Sequence, residues 1–210
     1  LAIGVLQTAG DEAELAQAVR YREFLAGNLS AVLSAEASSK TEDPEDLILN
    51  ALAFWQNEQS EEAARVAKVL QQKKSQLART WSVVFSDLFA STPDAAKLYQ
   101  ACETARNVYP QSAYVAFVRA FALEQLGEVD LAIAGFRRAL ILEPRWVPAR
   151  VRLARVLIAT GQYSTAFVEC AEALRQNPGY EPGYDVVLRS ALKIADRNVS
   201  APESWSSQTV

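Results

Sequence analysis

Proline recurs in this chain at a fixed step. Pro110, Pro144 and Pro178 lie 34 residues apart, and so do Pro148 and Pro182. The same step joins Gly127 to Gly161, Ala132 to Ala166 and Trp146 to Tyr180, and it runs through Ala105, Ala139 and Ala173. Several ladders in one phase mean that one structural unit is written more than once. Units this short cannot bury their own apolar surface, so they must stack on neighbours.

The physics inside one period is readable. Within 113–146, AYVAFVRAFALEQ is apolar all round, as a helix covered on both sides would be. Leu126-Gly127-Glu128 stops it, because glycine tolerates the left-handed backbone of a helix end. In VDLAIAGFRRALIL, residues Val129, Ala132, Ile133, Phe136, Ala139 and Leu140 are three and four apart, one face of a second helix. Glu143-Pro144 ends that helix and turns the chain. Residues 147–180 repeat the plan, with a turn at Thr160-Gly161-Gln162 and a stop at Asn177-Pro178.

These two units resemble tetratricopeptide repeats (TPRs). The family's small residue, turn glycine, Ala, aromatic, Ala and Pro correspond to Ala120, Gly127, Ala132, Phe136, Ala139 and Pro144. In the next unit they correspond to Ala154, Gly161, Ala166, Cys170, Ala173 and Pro178. The family's early Trp is replaced by Ala116 and Arg150, and its Tyr by Leu123 and Leu157. The resemblance implies an all-α, right-handed superhelical solenoid of stacked antiparallel helix pairs. Two clear units span 113–180, and two degenerate hairpins are expected over 45–112. There Phe85-Ser86, Phe89, Ala105 and Pro110, and earlier Trp55 and Ala64, keep the phase. Residues 1–44 are expected to form an N-terminal helical segment, either a degenerate hairpin turning at Gly27-Asn28 or one long interrupted helix. Residues 181–197 read as a capping helix and 198–210 as a mobile tail. Cys102 and Cys170 share one repeat phase two units apart. At roughly 10 Å per packed helix layer they are too distant for a disulfide, and they read as buried thiols.

The chemistry this chain can do is bounded by what it lacks. It contains no histidine, which removes imidazole bases, histidine-bound zinc and proximal-histidine haem. Two cysteines build neither a disulfide scaffold nor a four-thiolate site. The eight glycines form no phosphate loop or dinucleotide fingerprint. Acid pairs such as Glu61-Glu62 sit at helix starts, where the helix dipole favours them. The expectation is a protein without catalytic residues, cofactor or metal. Net charge is −4, which offers no field for nucleic acid. The chain starts Leu1-Ala2-Ile3-Gly4-Val5-Leu6 and has no methionine. It therefore reads as a soluble fragment, with a removed N-terminal membrane anchor upstream as one origin of that stub.

Charge is distributed unevenly: residues 113–197 carry eleven bases, ten of them Arg. By resemblance, the first helices of the repeats line a concave ligand face. That carries over to Tyr114, Phe117, Val118 and Phe121, then Arg152, Arg155 and Ile158, and Asp185 and Arg189 in the last helix. The expected partner-binding groove is Tyr114, Phe117, Val118, Phe121, Arg152, Arg155 and Arg189. It suits a protein or peptide segment with apolar anchors and an acidic group. The competing arrangement has the phenylalanines covered by the chain's own helices and the arginines paired with local acids such as Asp185. The carboxylate clamp of chaperone-tail binders is not expected, because Val83, Asp87, Phe117 and Phe121 stand where it needs Lys and Asn. The alternative role is a structural subunit or assembly factor, in a homo-oligomer or a membrane-associated complex.

Overall fold

Short polar side chains set the helix starts. Asp43 accepts a hydrogen bond from the Glu45 amide at 2.7 Å while Pro44 opens the helix. Ser75 accepts from Ala78 at 3.1 Å, Asp94 from Ala96 and Lys97, and Ser112 from Val115 at 3.3 Å. Each satisfies an amide the helix itself leaves unpaired. The computed structural model describes residues 9–34, 43–90 and 92–200, and every regular element among them is a helix. These are α1 (Ala9–Ala26), α2 (Leu29–Val32), α3 (Pro44–Gln56), α4 (Ser60–Gln71), α5 (Gln76–Leu88) and α6 (Ala95–Val108). They continue as α7 (Ala113–Gln125), α8 (Val129–Leu142), α9 (Val147–Ala159), α10 (Tyr163–Gln176) and α11 (Glu181–Ser200).

From α3 onward, consecutive helices pair as hairpins and each hairpin packs on the next, an all-α solenoid that α11 closes. In the N-terminal segment the chain turns at Gly27, φ +82°, between the long α1 and the short α2. The capping helix runs to Ser200, three residues past the expected end. The stub Leu1–Leu6 and the tail 201–210 lie outside the described residues.

The step of 34 holds over most of the array. α6, α8 and α10 begin at Ala95, Val129 and Tyr163, and α7, α9 and α11 at Ala113, Val147 and Glu181. α5 breaks it, because Gln76 and Ala113 are 37 positions apart. The extra residues lie in the connection between Leu88 and Ala95, which contains Pro93. This slip turns Ser86 to solvent, where the repeat calls for a buried small residue. Ala120 and Ala154, in the same phase, are fully buried. The reason for smallness is direct: a Cβ on Gly135 of α8 would lie 2.8 Å from the Ala120 Cβ. The hairpin turns use Gly127 at φ +79° and Gly161 at φ +75°, but between α3 and α4 the left-handed residue is Glu58, φ +61°. A side chain in that region costs about 1–2 kcal/mol, so this turn is less suited to its sequence than the two glycine turns.

One apolar core runs from Phe24 to Val186. Cys102, Phe136 and Cys170 occupy the same buried phase, and both cysteines are free. Burial pushes the Cys102 thiol up to about 12 and the Cys170 thiol up to about 11, so both stay protonated and unreactive near neutrality.

Helix α1 is the element that the repeat does not explain. It lies across the starts of the first helices and bonds to both ends of the array. Arg20 donates to Asp46 at 2.8 Å and also to buried Asn50, both on α3. The Tyr21 hydroxyl donates to Glu143 at 2.5 Å. Phe24, fully buried, packs its ring against Tyr114 and Trp146. The Asn177 amide donates to the Ala26 carbonyl at 2.7 Å. Gly27 meets Tyr180 and Pro148 so closely that a Cβ would lie 2.6 Å from the Tyr180 ring.

Candidate partner-binding face

The inner face is built by α3, α5, α7, α9 and α11, and much of it is filled from within. Trp55 at the end of α3 reaches over to α7, its ring 6.2 Å from Phe117 and 5.0 Å from Phe121. Phe117 also packs against Phe136 and Trp146. Phe117 is 4% exposed and Val118 0%, so these two expected groove residues lie in the core and present no surface. The cause is the apolar surface on α3 and α8, which buries more favourably against Phe117 than against water. Tyr114 is half-buried amid Tyr21, Phe24, Trp81 and Trp146. Burial holds its hydroxyl, and that of Tyr21, well above the ordinary phenol range, with the Glu143 carboxylate adding to both.

The other expected residues stay within reach of solvent and form a continuous line. Phe121 is half-buried and borders a cavity of about 600 Å³ between α3, α4, α5, α6 and α7. Trp55, Leu88, Phe89, Pro93 and Leu98 also line it. The Arg152 guanidinium lies over the Phe121 ring, 5.0 Å from its centre, and pairs with Glu124 at 2.8 Å. Arg155, one turn along α9, is exposed and makes no ion pair among the described residues. It borders a second cavity of about 350 Å³ with Ile158, Asp185, Val186 and Arg189. Arg189 pairs with Asp185 at 2.9 Å. The structure thus brings Phe121, Arg152, Arg155 and Arg189 into one strip and removes Phe117 and Val118 from it. Two of the three arginines carry local acids, and Arg155 is the cation left open.

Sequence reasoning missed the walls of the apolar cavity. Leu88 ends α5, and Phe89 and Pro93 belong to the slipped α5–α6 connection, whose position the step of 34 misplaces. It also missed a cavity of about 460 Å³ between α1 and the first helices, lined by Trp81, Leu77, Ile48 and the acids Glu14, Glu45 and Asp46. Nothing local to those residues signals it, because α1 builds the wall. Among the described residues no cluster of acids and cysteines could hold a metal ion, and no helix is long and apolar enough to cross a membrane.

No protein-family model matches the sequence, and no curated protein matches it either. Solved structures do match. The thermophilic TPR protein TTC0263 of Thermus thermophilus superposes with a TM-score of 0.56 at 22% identity, covering 87% of this chain and 98% of that one. The TPR domain of P58(IPK) gives 0.51 at 14% identity, covering 90% and 68%. The helical hairpins, the step of 34 and these superpositions agree: the chain has the tetratricopeptide-repeat fold.

Proposed function

We propose that this chain is a non-catalytic scaffold that binds a segment of a partner protein along its inner face. The segment seats an apolar anchor in the cavity beside Phe121 and sets an acidic group against Arg155 and Arg189. One observation carries the reading: Phe121 borders an apolar cavity and holds the Arg152 guanidinium over its ring, and Arg155, one turn further along α9 and without an ion pair among the described residues, borders a second cavity. Arginine donors suit a carboxylate, and such charge-assisted bonds are worth about 1.5–3 kcal/mol each. The fold supports the reading, since a row of first helices gives one extended face rather than an enclosed reaction site.

The test uses synthetic peptides in which a leucine or aromatic residue is followed by a carboxylate, with amidated twins as controls. Fluorescence anisotropy should show the acidic peptides binding more tightly than their twins. Arg155→Glu should weaken them tenfold or more without moving the melting temperature, and Phe121→Ala should weaken both sets. Equal binding of the amidated twins, or full binding by Arg155→Glu, sinks the assignment.

A further inference from the structure

Helix α11 closes the array with an apolar outer face. Tyr184, Leu188 and Leu192 recur every fourth residue and are 54%, 59% and 56% exposed. In the two preceding units the phase of Leu188 holds Ala120 and Ala154, both sealed by the second helix of their hairpin. No second helix follows α11 among the described residues. A leucine is too large for the approach seen at Ala120, so the slot fits a helix seated at an ordinary axial distance of about 8–10 Å. Beside the stripe runs a second row, also with a spacing of four: Glu181, Asp185, Arg189, Lys193. Acids stand in its first half and bases in its second. Such a row complements itself when reversed, because antiparallel helices bring the same flank of each together. Its internal pair, Arg189–Asp185, is 69% and 53% exposed and therefore easily exchanged for another.

We propose that this face seats α11 of a second copy of the chain, antiparallel about a two-fold axis close to Leu188. Leu188 then meets its own counterpart, Tyr184 meets Leu192, Asp185 meets Arg189, and Glu181 faces Lys193 across the axis. The contact is isologous and closes at a dimer. It does not rest on the ligand reading above. Asp185 and Arg189 border the cavity at Arg155, so peptide binding is tested through Arg155 and Phe121, and self-association through the stripe and the charge order.

Sedimentation of the 210-residue chain over a concentration series should show the mass rising from one copy towards two. Leu188→Glu, at an exposed position, should remain monomeric over the same range with unchanged helicity. Asp185→Lys and Arg189→Glu should each lose self-association alone, while an equimolar mixture dimerises, because both cross-pairs are then restored. A wild type that stays monomeric, a Leu188→Glu that dimerises fully, or a mixture that stays monomeric overturns the proposal. A chain that dimerises only after removal of residues 201–210 also overturns it, since the stripe would then be covered from within.

Discussion

Ala120 and Ser86 stand at the same phase of the step of 34, yet one is sealed against its partner helix and the other faces solvent. The difference separates two ways of holding helices together. From α7 to α10 every helix starts where the repeat places it, and small residues such as Ala120 and Gly135 let the two helices of a hairpin approach closely. The helices there pack mainly on their neighbours in the chain, and stability grows by adding like units. From α1 to α5 the period fails, and long-range ties take over. Arg20 holds α3, Tyr21 reaches Glu143, and Asn177 closes on Ala26, 151 residues away. Helix α1 therefore acts as a strap that ties the irregular start of the chain to the regular units.

The residue shared by both arrangements is Trp146. It caps α9, is fully buried, and packs its indole against Phe24 of the strap and Tyr114 and Phe117 of α7. Trp146→Ala is expected to cost about 3–5 kcal/mol. Urea unfolding followed by circular dichroism should show a single transition at a much lower midpoint. A two-step curve, with the α7–α10 part unshifted, would show that the strap and the array do not share a core.

Two glycines sharpen the contrast. Gly127 and Gly27 both sit at positive φ, +79° and +82°. A Cβ on Gly127 meets nothing within 4 Å, whereas one on Gly27 meets Tyr180 at 2.6 Å and Pro148 at 3.2 Å. Gly127→Ala should therefore cost only the backbone strain, about 1–2 kcal/mol. Gly27→Ala adds overpacking of about 1–3 kcal/mol. Amide exchange should quicken over α1 in Gly27→Ala and around the α7–α8 turn in Gly127→Ala. Equal losses in the two variants would mean the strap yields without resistance.

The same contrast explains what could be read in advance. Ala120, Gly127, Ala132 and Pro144 report contacts made within a few dozen residues, so spacing alone reveals the hairpins of 113–180. Ser86 misleads, because a change in loop length leaves no mark on the helix it displaces. Phe117 and Phe121 show the same limit at the binding face. Both sit on the inner side of α7, and the residues that separate them lie on other elements: Trp55, 62 or more residues earlier, packs on both rings, and Phe136 and Trp146 close over Phe117 as well. The arginines were legible as a group. Their division into paired and open depended on where Glu124 and Asp185 fall in three dimensions.

The smallest expected effect lies at the seam between the two halves. Glu103 of α6 accepts from Arg119 of α7 and, at 2.7 Å, from Arg106 on its own helix. Burial alone would raise its pKa, but the two guanidinium partners outweigh that and hold it below the ordinary carboxylate value. The fold therefore favours the charged form. The resulting stability is fully present above the unfolded-chain value of about 4.3 and is lost as pH falls through the lower folded value. Glu103→Gln should lower stability near neutrality by about 1 kcal/mol or less, the range of partly exposed pairs. Wild type and variant should converge as the pH is taken below about 4. A gap in melting temperature that persists undiminished into acid would place the loss in packing at the α6–α7 contact rather than in the charge. The slipped register of α5 would then be compensated at this seam by shape alone.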